Sequence, residues 1–599
     1  MANLVTPGYK RSTLINQVLP PIEERIIDFR GLNRKTVIAE GEMRDMLNLT
    51  SDNYPILTPR KPRGVMRLPV GSVKPVQLMA KFEKIAMIST TADGVAFFYN
   101  GDLISEVEGL STESQMVAIN TKICFFPEKT YIEVTDDGIV RGSYKSLESE
   151  VNVVGASISI SDDDARITLP AGHGFAYDDA IQLTGTLSYS NTSVDCDISC
   201  IVEDIVNDNT LILPQGTFLE LVGAGVRSGS LTGSVSRKLP DLDHVVEWNN
   251  RLWGCSNNDN TVYASKLGDP KNWQYFQGTG LDSYYAQQGT DGVWTGIGLH
   301  SNHLVCFKQD SLCKIYGTSP SNYQVVNAEA FGVELGSRQS VVTINDTIFY
   351  KSKVGIMAYS GSVPECISDG FNIAFKSVIA GTEKRKYYAS IQTASNGYEL
   401  MVFDVDKGIW HREDRTRFRS CATIGDKLYF VQYDSEPIYC SINLECSSWL
   451  PVCGTTSTAH VGIINPNTPE EDIGTMEWSA VFGPFDEYIE EHKIYSKLAM
   501  RIISENTEDD NFLCNEDWEP IVTDEDEELE IERYLNVYIS IDEGDWELVE
   551  SLKTPKTKGD FIPIIPRRCD RYSVKVEAKG YYEIKSLTRR VRKGTFGRL

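Results

Sequence analysis

At 599 residues the chain is longer than one hydrophobic core ordinarily organises, so several domains are expected. Its 41% hydrophobic and 24% charged content are those of a globular chain, and no run approaches the roughly 20 apolar residues that span a bilayer, so membrane insertion is not expected. The net charge of −26 excludes a protein that grips nucleic acid through a broad basic face, because phosphate neutralisation supplies most of that affinity.

The N-terminus, MANLVTPGYKRSTLINQVLPP, has no apolar block of signal-peptide length, so nothing marks the chain for secretion. Residues 1–74 read as an extended arm with platform strands, since Pro and Arg crowd the stretch TPRKPRG and disfavour helix. From residue 75 a repeat emerges. Each unit has an apolar strand, a turn rich in Asn, Asp, Lys or Arg, an aromatic strand, a second polar turn and a third strand. Asn120, Asn249-Asn250, Asn302, Asn345-Asp346 and Gly425-Asp426 are placed to supply the left-handed backbone positions that close tight hairpins.

Seven such units of roughly 30–45 residues predict an all-β chain built on a β-propeller of four-stranded blades; a pair of β-sandwiches is the alternative. The blades are expected over 75–145 and 238–450. Between them, residues 146–237 lose the repeat, carry short alternating strands and leave through GAGVRSGSLTGSVS, which predicts an inserted β-barrel-like domain. Residues 451–599 change character again and read as a C-terminal β-sandwich or platform domain, interrupted by the acidic run Asp524–Glu532 and ending in a basic tail.

The search for catalytic residues finds little. No Gly-x-Ser-x-Gly elbow, His-Glu-x-x-His or phosphate-cradling Gly-Lys-Ser/Thr loop occurs, so neither an enzyme nor a cofactor is expected. His300 and His303, three apart on a strand, would point to opposite faces and could not share a metal. Cys196 and Cys200 lack a second pair at metal spacing and read as packed thiols. Asp162-Asp163-Asp164 lacks the spacing of a calcium loop, and like Asp524–Glu532 reads as a solvated acidic turn. Trp248, Trp253, Trp273, Trp294 and Trp410 could form sugar platforms, but their recurrence at blade positions favours packing between blades.

Two stretches carry a resemblance. NNRLWGCSNNDNTVYASKLGDPKNW contains Arg251-Leu252-Trp253 and then Gly268-Asp269-Pro270 with Trp273; a later unit runs from Tyr398 through Asp404 to Trp410. These patterns resemble the tail nozzle (tail tubular) proteins of short-tailed bacteriophages, as do the N-terminal GLNRKTVIAEGEMRDMLNLTSDNYPILTPRKPRG, the insert and the closing strands DRYSVKVEAKGYYEIKSLTRRVRKGT. The resemblance implies a structural virion protein made in the bacterial host cytoplasm. It further implies a ring of six copies below an adaptor ring, contacting fibre and plug or tip proteins, and enclosing the channel through which DNA leaves without being specifically bound.

An acidic chain suits such a channel, because carboxylates oppose phosphate. The main rival is an extracellular carbohydrate-binding or carbohydrate-cleaving propeller, and a cytosolic peptide-binding scaffold is a third reading. Against the acidic background, Arg60, Lys61 and Arg63 in the arm and Arg589, Arg590 and Arg592 in the tail stand out as candidate assembly residues, suited to the acidic surface of a neighbouring subunit.

Overall fold

The computed structural model describes residues 21–61, 63–67, 74–432, 460–463, 476–487, 492–504, 533–552, 560–562 and 564–593. The first twenty residues, the acidic run Asp524–Glu532 and the last six residues lie outside them. The chain divides into two compact units, one of Lys61–Trp410 with Asp414–Glu471, the other of Met1–Arg60, His411–Glu413 and Asp472–Leu599.

The larger unit is a seven-bladed β-propeller. Its first blade is built from Lys74–Lys81, Lys84–Thr91, Gly94–Tyr99 and Asp102–Leu103. The innermost strands of the following blades are Gln115–Ile119, His244–Trp248, Trp294–His300, Val342–Ile344, Phe375–Glu383 and Phe418–Ile424. Each inner strand packs beside the next, and that of the seventh blade returns to pack beside that of the first, so the ring is closed. The hairpins form where the turn chemistry permits: Asn120, Asn249, Asn250, Asn345 and Gly425 all hold φ between 50° and 57°, whereas Asn302 does not use the left-handed region.

The seventh blade is completed from a distance. Its strands Phe418–Ile424, Lys427–Gln432 and His460–Ile463 are joined by Gly64–Arg67, with Gly64 opposite Ile463 and Arg67 opposite His460. The propeller therefore runs past the expected limit of residue 450, and the expected arm over 1–74 supplies one of its strands. A ring sheet closed in this way has no unpaired first or last blade.

Apolar residues fill the wedges between blades. Phe97 packs edge-on to Phe125 at 5.1 Å between the first two blades, and Trp253 meets Trp294, Leu304 and Cys306 between the third and fourth. Leu78, Met87 and Phe98 meet Ala422 and Val431 where the ring closes. Trp248, Trp253, Trp273, Trp294 and Trp410 are all buried, which makes them packing residues and removes them as sugar platforms.

The insert is one antiparallel seven-stranded sheet, in the order Thr192–Ile201, Ala180–Tyr189, Ser228–Arg237, Ser149–Ile160, Asp164–Thr168, Thr210–Pro214 and Asp204–Asn207. It curls around a core of its own that includes Ile167, Leu183, Leu211, Phe218, Leu231 and Val235. Gly185 and Gly233 sit opposite each other in neighbouring strands. A Cβ on Gly233 would lie 2.0 Å from the Thr184 carbonyl oxygen, so the two backbones can touch only without side chains.

The smaller unit holds two five-stranded sheets, and both draw on both ends of the chain. In one, Ile22–Ile26 pairs with Tyr582–Lys593; in the other, Met43–Leu47 pairs with Glu477–Phe485. The expected N-terminal platform strands and the expected C-terminal domain of 451–599 are thus parts of one unit. Tyr495 and Tyr572, one from each sheet, meet at 3.9 Å between ring centroids.

Candidate functional site

Among the described residues, three places carry concentrated polar chemistry. The first is the Gly268–Trp273 turn of the third blade, the stretch most like the phage pattern. Gly268 adopts φ +73°, and its carbonyl accepts a hydrogen bond from the Asn120 side chain at 3.1 Å. The Asp269 carboxylate caps the turn by accepting from the Lys271 backbone N–H at 3.0 Å and from Asn272 Nδ2 at 2.6 Å. Trp273 donates its indole N–H to the Pro270 carbonyl at 2.8 Å and lies buried beside Leu252, Leu239 and Leu242.

Arg251, 1% exposed, braces the adjoining loop by donating to the Ser265 carbonyl at 2.7 Å and the Gly280 carbonyl at 2.7 Å. A guanidinium buried against carbonyls, with no carboxylate in hydrogen-bond contact, is held as a multi-armed donor.

This turn docks the insert. Asn272 is fully buried; its Nδ2 donates to Asp179 Oδ1 at 3.1 Å, and its Oδ1 accepts the Ala180 backbone N–H at 2.8 Å. Lys266 pairs with Asp178, which also accepts the Tyr275 hydroxyl at 2.9 Å. Asp179, 1% exposed, is paired with Arg237 from its own domain. Burial, reinforced by the bond to Asp178, pushes the Tyr275 hydroxyl up to about 12.

The second place is the propeller axis. Two adjoining cavities, of about 380 and 750 Å³, share Gln77, His244, Arg338, Gln339 and Ile379. The smaller is lined by inner strands of the blades, including Gln115, Val246, Ala380 and Ala422. His244 hydrogen-bonds through Nε2 to the Trp294 carbonyl at 3.1 Å, and burial holds its imidazole below the ordinary range despite that bond. The larger cavity is also lined by Glu113, Asp243 and Arg419.

The third place corrects the sequence reading of His300 and His303. They do not lie along one strand: His300 ends one strand, His303 begins the next, and the two are direct partners across a hairpin turn, on one face. Their ring centroids are 4.4 Å apart, and His303 Nε2 is 2.8 Å from the Tyr359 hydroxyl. The two-residue turn reverses the chain, so the alternation rule for a single strand does not apply. Burial, then His300 and Lys314, hold the His303 imidazole down at about 4.

The candidate assembly residues divide. Arg60 and Arg63 are buried; Arg60 Nε donates to Asn48 Oδ1 at 2.9 Å, and Arg63 pairs with Asp414 at 2.6 Å. Arg589, 3% exposed, is 2.9 Å from Glu40 and 3.2 Å from Glu487, with its guanidinium 3.8 Å from the Phe485 ring centroid. Arg590 pairs with Glu23 at 3.4 Å on the neighbouring strand. Lys61 and Arg592 remain exposed. The basic tail to residue 593 is a strand of the smaller unit, so most of this charge is committed within the chain; a net charge count in sequence cannot distinguish a buried cation from a solvated one.

Asp162 pairs with Arg227 at 2.6 Å, and Asp164 with Arg166 at 3.0 Å. Cys196 is buried and Cys200 half-buried on their strand, and burial pushes the Cys196 thiol up to about 11. Among the described residues no three His, Cys, Asp or Glu side chains converge as a metal site, and no helix is long and apolar enough to cross a membrane.

No family model and no curated protein matches the chain. Among solved structures, Kluyveromyces lactis Hsv2p is 17% identical over 33% of this chain and 61% of its own, with a TM-score of 0.24, so the match spans about three fifths of that protein. Apo AztD from Citrobacter koseri is 11% identical over 61% of this chain and 90% of its own, with a TM-score of 0.24. The phage phi92 endosialidase is 9% identical over 73% and 75%, with a TM-score of 0.22. The protein is an all-β propeller with an inserted sheet domain and a separate two-sheet unit. Likenesses this distant say nothing of its chemistry.

Proposed function

We propose that this chain is a structural protein of a short-tailed bacteriophage tail, of the nozzle type, acting as one subunit of a ring around the DNA exit path. The supporting observation is the Gly268–Trp273 turn. The stretch that resembles the phage pattern is the one that fixes an inserted domain onto a blade, through the fully buried Asn272. A turn that joins modules is what a stationary, load-bearing part requires. The closed seventh blade adds rigidity and removes an edge that would template aggregation.

In this reading the net charge of −26 keeps the lumen from retaining DNA. Subunits meet one another and their adaptor, fibre or tip partners through exposed surface, for which Lys61 and Arg592 are the remaining basic candidates of the original set.

Negative-stain imaging and mass photometry of the purified full chain test the proposal. Hollow rings of about six copies that do not shift duplex DNA at physiological salt are expected. A monomer that binds or cleaves glycans would replace the tail reading with the carbohydrate one.

A further inference from the structure

The axial cavities carry a half-buried cation with no ion partner. Arg338 lines both of them, yet its guanidinium makes no ion pair or hydrogen bond among the described residues. The carboxamide of its neighbour Gln339, lining the same two cavities, is also without a partner there. Buried arginines elsewhere in the larger unit are matched: Arg237 of the insert with Asp179, Arg63 with Asp414, and Arg251 with backbone carbonyls. Arg338 is different. Burial lowers its proton affinity, opposed only by the charge of Glu113 in the larger cavity. Leaving a guanidinium partly desolvated without a counter-ion is costly, and a fork of N–H donors fits a carboxylate or phosphate edge-on.

The surroundings suit a small ligand. The cavity of about 380 Å³ is of the size that takes small molecules, and its lining mixes apolar strand residues with polar ones, among them Gln77, Gln115, Thr382 and Thr423. His244 cannot compete as a second cation, since its imidazole is held neutral by burial and engaged with the Trp294 carbonyl. Two carboxylates line the larger cavity: Glu113, whose charge acts on Arg338, and Asp243, which accepts the Asn257 backbone N–H at 2.7 Å.

We propose that the propeller axis is a binding site for a small oxyanion, a carboxylate or phosphate group, with Arg338 as its counter-ion and Gln339 as an additional donor. The site does not depend on the tail reading; it belongs to the single chain.

The test is calorimetry and thermal melting of the full-length protein with sodium phosphate and, separately, sodium malonate, at constant ionic strength. Saturable binding of at least one anion is expected, and which one binds distinguishes a phosphate from a carboxylate ligand. Arg338→Gln should weaken it by about tenfold or more, and Arg338→Lys, which keeps charge but loses the fork, should weaken it less. Glu113→Gln should tighten it, a direction that a purely structural role for either residue does not produce. Arg166→Gln, on the insert, should leave it unchanged.

Unliganded Arg338→Gln should melt no lower than wild type, because it removes an unpaired charge; if it fails to fold, Arg338→Lys and Glu113→Gln decide. Absence of saturable binding by both anions, or wild-type affinity in the Arg338 variants, would overturn the proposal.

Discussion

Asn272 of the third blade and Asp179 of the inserted domain, 93 residues apart, share a 3.1 Å hydrogen bond at a point where both side chains are removed from water. The same Asn272 oxygen receives the Ala180 N–H, so one amide satisfies a carboxylate and a backbone donor of the insert together. An Asn with both ends used in this way has no equivalent substitute: Asp lacks the donor, and Ala leaves the Ala180 N–H without its acceptor and takes one donor from Asp179.

Asn272→Ala should therefore destabilise the larger unit by about 2–4 kcal/mol, and limited proteolysis should release the insert sooner than in wild type. Trp273→Ala should cost about 3–5 kcal/mol through the cavity it leaves. Replacing residues 150–236 by a short linker removes Asp178 and Asp179 and strands Lys266 and Asn272. Adding Lys266→Met and Asn272→Leu to that deletion should raise its melting temperature. A deletion whose melting is indifferent to those changes would show that the clamp contributes nothing.

The pH response follows from His303. Its folded proton affinity, near 4, lies below the unfolded value near 6.5, so the unfolded chain binds the proton more readily. The stabilisation from keeping it neutral is complete above pH 6.5 and is lost as pH falls from there through about 4. The loss amounts to about 3 kcal/mol at most. The groups around it, His300, Tyr316, Tyr359 and Lys314, supply no carboxylate to offset the charge. His303→Gln should flatten this part of the stability profile in denaturant titrations at pH 7.5, 5.5 and 4.5. An unchanged slope would assign the acid response to other groups.

Gly233→Ala places a methyl group 2.0 Å from a carbonyl oxygen in the next strand. It should cost about 3 kcal/mol or more. Hydrogen exchange should accelerate in the strands Ala180–Tyr189 and Ser228–Arg237 while the seventh blade keeps its protection. Gly216→Ala, where nothing lies near the added carbon, is the matched control.

The arginines of the C-terminal strand should separate in their effects. Arg589→Ala leaves Glu487 buried without its ion partner and should destabilise the smaller unit by about 3–5 kcal/mol. Arg592→Ala, on exposed surface, should leave melting within about 0.5 kcal/mol of wild type. If rings form, sedimentation should show weaker assembly for Arg592→Ala at that unchanged melting temperature. Full assembly of the variant would remove Arg592 from the interface.

The propeller was legible in sequence because its information is local: an apolar strand, an Asn in the left-handed region and an aromatic return strand recur within a few dozen residues. Asn120, Asn249 and Asn345 announce hairpins by their own chemistry. Pairings between distant segments were not legible. Gly64–Arg67 is too short to carry a period, and its partner lies about 400 residues away. Ile22–Ile26 and Met43–Leu47 sit among Pro and Arg and resemble an arm until their partners near residues 480 and 590 are known.

The His300–His303 pair is hidden in sequence because strand alternation holds within one strand, and these residues flank a turn. The charges of Arg60, Arg63 and Arg589 were visible, but their burial depends on Asn48, Asp414 and Glu487. Arg338 gave no signal at all, since an unmatched guanidinium is defined by the absence of neighbours in space.

The pairing of Gly64 with Ile463 also sets a timetable for synthesis. A ribosome that has released Gly64–Arg67 must add about 400 further residues before that strand can find its partner, roughly 20 to 80 seconds at ordinary elongation rates. During that interval the early blades stand with one lateral face uncovered, and every prematurely terminated chain remains an open arc. Completion of the ring thus reports that translation has passed residue 463, and only chains that have done so hold a closed propeller.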